Sequence, residues 1–153
     1  MLSSSLNFRY EDTKENDSFF NLALKYYEDR NHLRGFKELL NETQILRDSV
    51  EDENSKYYKV FSDNTLCGMA WAYIDIDVIK IPIFVVDCSF REIGIGDYLF
   101  NTILNDAFFK DALTFESQVL PGDRQGKNFF EQHAGKTRKL IVQGIIEAGK
   151  TEQ

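Results

Sequence analysis

The stretch that most constrains the fold of this chain is residues 85 to 110, VVDCSFREIGIGDYLFNTILNDAFFK. The β-branched and aromatic run Ile81-Pro82-Ile83-Phe84-Val85-Val86 predicts a strand leading into it. Arg91-Glu92-Ile93-Gly94-Ile95-Gly96 follows, and apolar residues then recur at Leu99, Phe100, Ile103, Leu104, Ala107 and Phe108, the spacing of a helix. Strand, glycine turn and helix in this order aim the helix's first amides and positive dipole end at whatever lies over the turn. The two glycines permit backbone geometry and close approach that a side chain would forbid. An anion suits that position, above all a phosphate. Read without a ligand, the same residues form a tight strand-to-helix connection.

Two phosphate motifs fail on spacing. A nucleotide-hydrolase loop ends in Gly-Lys-Ser/Thr, whereas Gly96 precedes Asp97-Tyr98. A dinucleotide fingerprint needs a third glycine where Leu99 stands. The remaining pattern, R-x-x-G-x-G at Arg91, Gly94 and Gly96, resembles the acyl-CoA loop of the GNAT acetyltransferase superfamily. Upstream, Val86-Asp87-Cys88-Ser89-Phe90-Arg91 is similar to that family's strand end followed by an aromatic and an Arg. The resemblance implies acetyl-CoA as co-substrate, held by Phe84, Val85, Val86, Arg91, Glu92, Ile93, Gly94, Ile95 and Gly96, with loop amides on the diphosphate.

A second resemblance lies at residues 119 to 135, VLPGDRQGKNFFEQHAG. The family often shows V-x-x-x-N-x-x-A-x-x-F-Y-E, and Val119, Asp123, Gly126, Phe129, Phe130 and Glu131 occupy those places without a gap. Asp for Asn keeps a capping group and Gly for Ala keeps a small residue. Phe130 for Tyr removes a hydroxyl that the family commonly uses to protonate the departing CoA thiolate. The resemblance implies Asp123 and Phe130 beside the cofactor. The nearest substitutes for the lost hydroxyl are Glu116, a candidate base acting through water, and Ser117, on an adjoining strand whose alternation sends only one of them toward the site. Without the resemblance, this stretch is an ordinary amphipathic helix with Phe129 and Phe130 in the core, Glu116 is solvated and Ser117 half-buried.

The rest of the chain agrees in order. Residues 6 to 10 alternate as a first strand; FFNLALKYYEDR after Asp17-Ser18 and LRGFKELLNETQILRDS from Leu33 read as two helices. Residues 56 to 86 read as an antiparallel meander, with turns at Ser62-Asp63-Asn64-Thr65 and Asp75-Ile76-Asp77. Gly68 predicts a bulge or a close backbone contact, and Pro82 predicts an unpaired or bulged edge. Residues 113 to 119 predict a strand reached by a crossover helix, and so parallel to the one before it. The resemblance implies that this pair splays apart, leaving backbone groups for the amide-rich arm of CoA. The expected fold is α/β in the GNAT manner: one domain over residues 1 to 153, a mixed sheet of six to seven strands and about four helices. Residues 139 to 146 predict a closing apolar strand with little to cover it, and a homodimer pairing such edges would do so.

Composition narrows the partners. With 25 carboxylates against 18 Lys and Arg the net charge is −7, which repels nucleic-acid phosphates and favours an amine as second substrate. The longest apolar run falls short of the ~18 residues that predict a membrane span, and the N-terminus has no signal core, so a cytoplasmic location is expected. Cys67 and Cys88 sit in or beside strand-like runs, which predicts free thiols and no metal site. His32 falls in the polar connection Glu28-Asp29-Arg30-Asn31-His32, where it is expected to be exposed. Two functions stay open: acetyl transfer to a small-molecule or protein amine, and a non-catalytic acyl-CoA-binding module.

Overall fold

The computed structural model describes residues 8 to 13, 17 to 87, 94 to 120, 123 to 133, 135, 136, 142, 144 and 146. Five strands form one sheet in the order β1 (Phe8–Thr13), β2 (Ser55–Ser62), β3 (Thr65–Asp75), β4 (Val78–Val86), β5 (Thr114–Glu116). The first three pairings are antiparallel and β4 with β5 is parallel. Both expected turns close hairpins, with Ser62 opposite Thr65 and Asp75 opposite Val78. Helices α1 (Asp17–Tyr26) and α2 (Phe36–Ser49) precede the meander; α3 (Ile95–Leu104) and α4 (Arg124–Gln132) flank β5 in sequence.

Two irregularities place the site. Ile81 and Pro82 lie between the register pairs Tyr73↔Lys80 and Trp71↔Ile83, so two residues of β4 oppose the single Ala72. The missing proline N–H makes this break cheap, and an extra residue reverses the phase of the strand. Ile79 and Ile81 therefore pack in the core under α3, whereas Ile83 and Val85 pack under α1. Phe84 and Val86 are turned to the α3 side. The second irregularity skips Cys67 between Val60↔Gly68 and Phe61↔Leu66. A β-carbon on Gly68 would lie 3.3 Å from Val85 O and 3.4 Å from Ile95 Cγ2, so the glycine lets α3 lie close on β3.

The sheet is covered on both faces. Phe19, Phe20 and Ala23 of α1 pack on Tyr57, Met69 and Trp71, and the buried indole N–H of Trp71 donates to Ser55 Oγ at 3.0 Å. On the other face α3 buries Ile95, Leu99, Phe100 and Ile103. Burial of each such side chain is worth roughly 1.5–3 kcal/mol, which holds the helix and its N-terminus firmly against the strands. Helix α2 buries no residue.

Three expectations are corrected. The sheet of described residues has five strands where six to seven were expected. Of the expected closing strand, Val142, Gly144 and Ile146 are described and belong to no strand, and the rest lies outside the described residues. β5 is three residues long where seven were expected, because its partner bulges at Pro82 and pairing stops at Lys80 opposite Glu116. Finally, α2 starts at Phe36, three residues after Leu33, because Gly35 enters the helix in the left-handed conformation (φ 83°).

Candidate functional site

Beyond Lys80 and Glu116 the parallel pair separates, and a cleft of about 460 Å³ is lined by residues on either side of the gap. Ser117 Oγ donates to Ile81 O at 2.9 Å and pins the strands where they diverge. Asp87 N donates to Cys67 O at 2.9 Å, which fixes the alternation at this end of β4. Val85 accordingly turns its backbone groups toward β3, and Phe84 turns its N–H and C=O into the gap. Tyr27 of the α1–α2 connection and Leu39, Leu40 and Thr43 of α2 form one wall. Gly94, Gly96 and Asp97 with Asp123, Phe129 and Phe130 form the other.

At the α3 wall, Gly94 takes φ 96°, a left-handed conformation costly for a side chain, and the first intrahelical bond runs from Tyr98 N to Gly94 O at 3.0 Å. The amides of Ile95, Gly96 and Asp97 thus have no partner within the helix, and they lie at its positive end. Among the described residues a β-carbon at Gly94 would meet only Phe8 Cε2, at 3.9 Å. One at Gly96 would lie 3.0 Å from Phe129 Cε1, so that glycine also lets α4 pack on α3. These features fit the phosphate end of an acyl-CoA. Arg91, Glu92 and Ile93 of the expected loop lie outside the described residues. The side chains of Val85 and Ile95 are each 1% exposed, in the cores under α1 and α3, and neither lines the cleft.

Asp123 caps α4: its Oδ1 accepts from Gly126 N at 3.0 Å. Its Oδ2 accepts from Arg30 Nε, also at 3.0 Å, with both side chains 15% exposed. A β-carbon on Gly126 would fall 2.8 Å from Asp123 Oδ2. Two of the three departures from the family pattern, Asp123 and Gly126, therefore make one seat for the guanidinium. Among the described residues Arg30 Nη1 has no hydrogen-bond partner, and it stands 3.6 Å from Asp29 Oδ1. Its guanidinium carbon lies 5.3 Å from the ring centre of Tyr27.

Tyr27 lines the cleft and reaches β4. Its hydroxyl accepts from Phe84 N–H at 3.0 Å and donates to Phe84 O at 3.4 Å. The residue as a whole is partly exposed, but the hydroxyl is enclosed, and burial pushes its pKa above the ordinary range, partly offset by the bond to Phe84 and the charge of Arg30. The sequence reading placed Tyr27 at the end of a helical segment and Arg30 in a polar connection, and gave neither a role in the site. Their partners lie 57 and 93 residues away, so no local pattern marks them.

Phe130 packs in an aromatic cluster, its ring 5.5 Å from Phe84, 5.2 Å from Phe129 and 5.9 Å from Phe100. Ser117 lines the cleft, with its proton already given to Ile81 O. Glu116 does not line it; its carboxylate accepts from Lys80 Nζ at 2.6 Å on the exposed part of the sheet. That hydrogen bond raises the pKa of Lys80. His133 was also missed: its Nε2 lies 2.9 Å from Asp97 Oδ1, tying the end of α4 to the first turn of α3. His32 is exposed. Among the described residues no helix is long and apolar enough to cross a membrane, and no three His, Cys, Asp or Glu could hold a metal ion.

The model of the acetyltransferase (GNAT) family matches residues 16–135. No curated protein sequence matches the chain. Solved structures do. An aminoglycoside acetyltransferase from an uncultured soil metagenomic sample, in complex with sisomicin, has a TM-score of 0.63 at 16% identity, covering 92% of this chain and 95% of that one. A ribosomal-protein-alanine N-acetyltransferase from Brucella melitensis biovar Abortus 2308 has a TM-score of 0.62 at 15% identity, covering 90% and 100%. AAC(6′)-Iy in complex with the bisubstrate analog CoA-S-monomethyl-acetylneamine has a TM-score of 0.58 at 13% identity, covering 93% and 99%. At such identities the likeness shows the fold.

Proposed function

The chain belongs to the GNAT acetyltransferase family, and on that premise we propose that it moves the acetyl group of acetyl-CoA to a primary amine of a small molecule or protein. The observation that carries the reading is the gap between β4 and β5, into which Phe84 turns its N–H and C=O beside the glycine entry to α3. Acetyl-CoA supplies an activated acyl group. The first-turn amides of α3 would hold its diphosphate, and the gap edge of β4 would pair with its amide-rich arm as an added strand does. An amide at Val86 or a neighbour would stabilise the carbonyl oxygen as charge develops there. A base acting from Glu116 would first have to leave Lys80. The acceptors named for the neighbours above, an aminoglycoside and a ribosomal-protein alanine, support an amine as acceptor.

Phe130 favours a second reading, a module that binds acyl-CoA without turning it over, since its ring carries no hydroxyl and packs among other phenylalanines. One experiment separates the two. Acetyl-CoA is offered with a panel of polyamines, amino acids and peptides while free CoA is measured, and the melting temperature is read with and without acetyl-CoA. A ligand at 100 times its Kd adds roughly 2.7 kcal/mol of stability. Stabilisation with amine-dependent CoA release supports the transferase; stabilisation with every amine inert leaves the binding module; no stabilisation removes both.

A further inference from the structure

Where the family often has a tyrosine this chain has Phe130, which meets Phe84 from the α3 side of the sheet. Tyr27 meets the same residue from the α1 side, and its hydroxyl stands in the gap on Phe84's own N–H and C=O. We propose that Tyr27 is the proton donor of the acetyl transfer, bringing from one face of the sheet the hydroxyl that position 130 lacks on the other. This inference rests on the acetyltransferase reading above.

Three observations carry it. The first is which hydroxyl can be released. Thr43 donates to Leu39 O at 2.8 Å within its helix and Ser117 to Ile81 O at 2.9 Å, so both protons are held by scaffold carbonyls. Tyr27 donates at 3.4 Å, a long bond that is readily surrendered. Moreover, a ligand pairing with the gap edge of β4 would take Phe84's N–H and C=O from the phenol and leave its hydroxyl facing the ligand. The second is protonation: a phenol ordinarily titrates near 10, well above physiological pH, and burial shifts Tyr27 further up, so it stands protonated and can donate. The third is charge. Arg30 lies over the Tyr27 ring at 5.3 Å and is fixed there by Asp123, so a guanidinium is in place when the phenol loses its proton.

The step balances. As the amine nitrogen forms its bond to the acetyl carbon, the carbon–sulfur bond breaks and its electron pair leaves on sulfur. Tyr27 gives its O–H proton to that sulfur, completing the thiol, and the proton shed by the new amide nitrogen returns to the phenolate through water. No oxidant or further reactant is needed.

The test uses the full chain, acetyl-CoA and the most reactive amine of the panel, with kcat measured alongside the Kd for CoA by calorimetry. Tyr27→Phe keeps the ring and is expected to lower kcat by about 10²-fold or more, the usual worth of a positioned acid. Because it removes the group that occupies Phe84, its Kd for CoA should be equal or tighter. Phe130→Tyr in the Tyr27→Phe background restores a hydroxyl from the other face and should recover at least ten-fold in kcat. A structural role for Tyr27 predicts no such rescue. An active wild type with Tyr27→Phe at full kcat overturns the inference alone, as does a tenfold weaker Kd for CoA or a double variant no faster than Tyr27→Phe. A wild type that binds acetyl-CoA but acetylates no amine overturns the acetyltransferase reading and this inference with it.

Discussion

The two walls of the cleft are built differently. The α3 wall is anchored: four of the ten residues of the helix are buried, Gly68 admits it close to β3, and Phe100 alone meets the rings of Phe84, Phe115, Phe129, Phe130 and His133. The α2 wall buries none of its fourteen residues and presents Phe36, Leu39, Leu40 and Thr43 to the cleft. The phosphate end of a co-substrate must be gripped in one geometry, which suits the anchored wall. Of the apolar residues of α2 only partly buried Leu46 packs on the α1-side core, and Tyr27 and Arg30 tie this wall to Phe84 and Asp123 by long-range polar contacts. Such an arrangement would suit a surface fitted to the acceptor of the proposed reaction.

The sharpest way to break this comparison is to cut one side chain from each wall. Phe100→Ala should destabilise by about 3–5 kcal/mol, as large-to-small changes in a packed core do. Leu40→Ala should cost less than about 1 kcal/mol and act instead on the KM for the amine, because Leu40 is only partly buried and lines the cleft. Urea denaturation of both variants decides it; equal losses would mean that α2 is as much part of the core as α3.

A smaller effect is expected at the contact that joins the walls. Arg30→Ala leaves the Asp123 carboxylate, 15% exposed, without its charged partner and should cost about 1–3 kcal/mol. Asp123→Asn keeps a capping side chain and should cost less. Thermal melts of the two variants and their combination give the coupling energy, and strict additivity would show that the walls are not joined through this pair.

The smallest effect sharpens the picture of the anchored side. Cys67 is fully buried in the β3 bulge, and burial pushes its thiol from an ordinary 9.0 up to about 11. The folded chain therefore holds this proton through a range where the unfolded chain has lost it. The contribution to stability is complete below about pH 9 and falls as pH rises toward 11. At pH 10 the loss should be about 1 kcal/mol relative to pH 8, and it should be absent from Cys67→Ala in parallel urea titrations. An identical alkaline loss in the variant would assign it to the tyrosines, four of which are also shifted upward.

Whatever depends on neighbours in the chain was legible from sequence. Periodicity marked the meander, its two turns and α3, although that helix ends at Leu104 and the expected Ala107 and Phe108 form a separate 3₁₀ turn. Gly94 and Gly96 marked its entry, because the backbone conformation of a strand, a turn or a helix N-terminus is set by a few consecutive residues. Pro82 announced a break in β4 because a missing N–H is a property of the residue itself. What that break would do was not legible. Reversing the phase of β4 sends Phe84 to one core and Val85 to the other, and which residue then faces the gap depends on how β3 and β5 pair. The same holds for Glu116: alternation alone leaves either Glu116 or Ser117 toward the cleft, and Lys80, brought alongside by the parallel register, takes Glu116 away. Tyr27 ends an apolar helical face and Arg30 sits in a polar connection, and no local pattern gives either a place in a site. Only tertiary folding, which brings residue 27 to 84 and residue 30 to 123, gives a phenol and a guanidinium a place in the site, because contact energies depend on distance in space and not on separation along the chain.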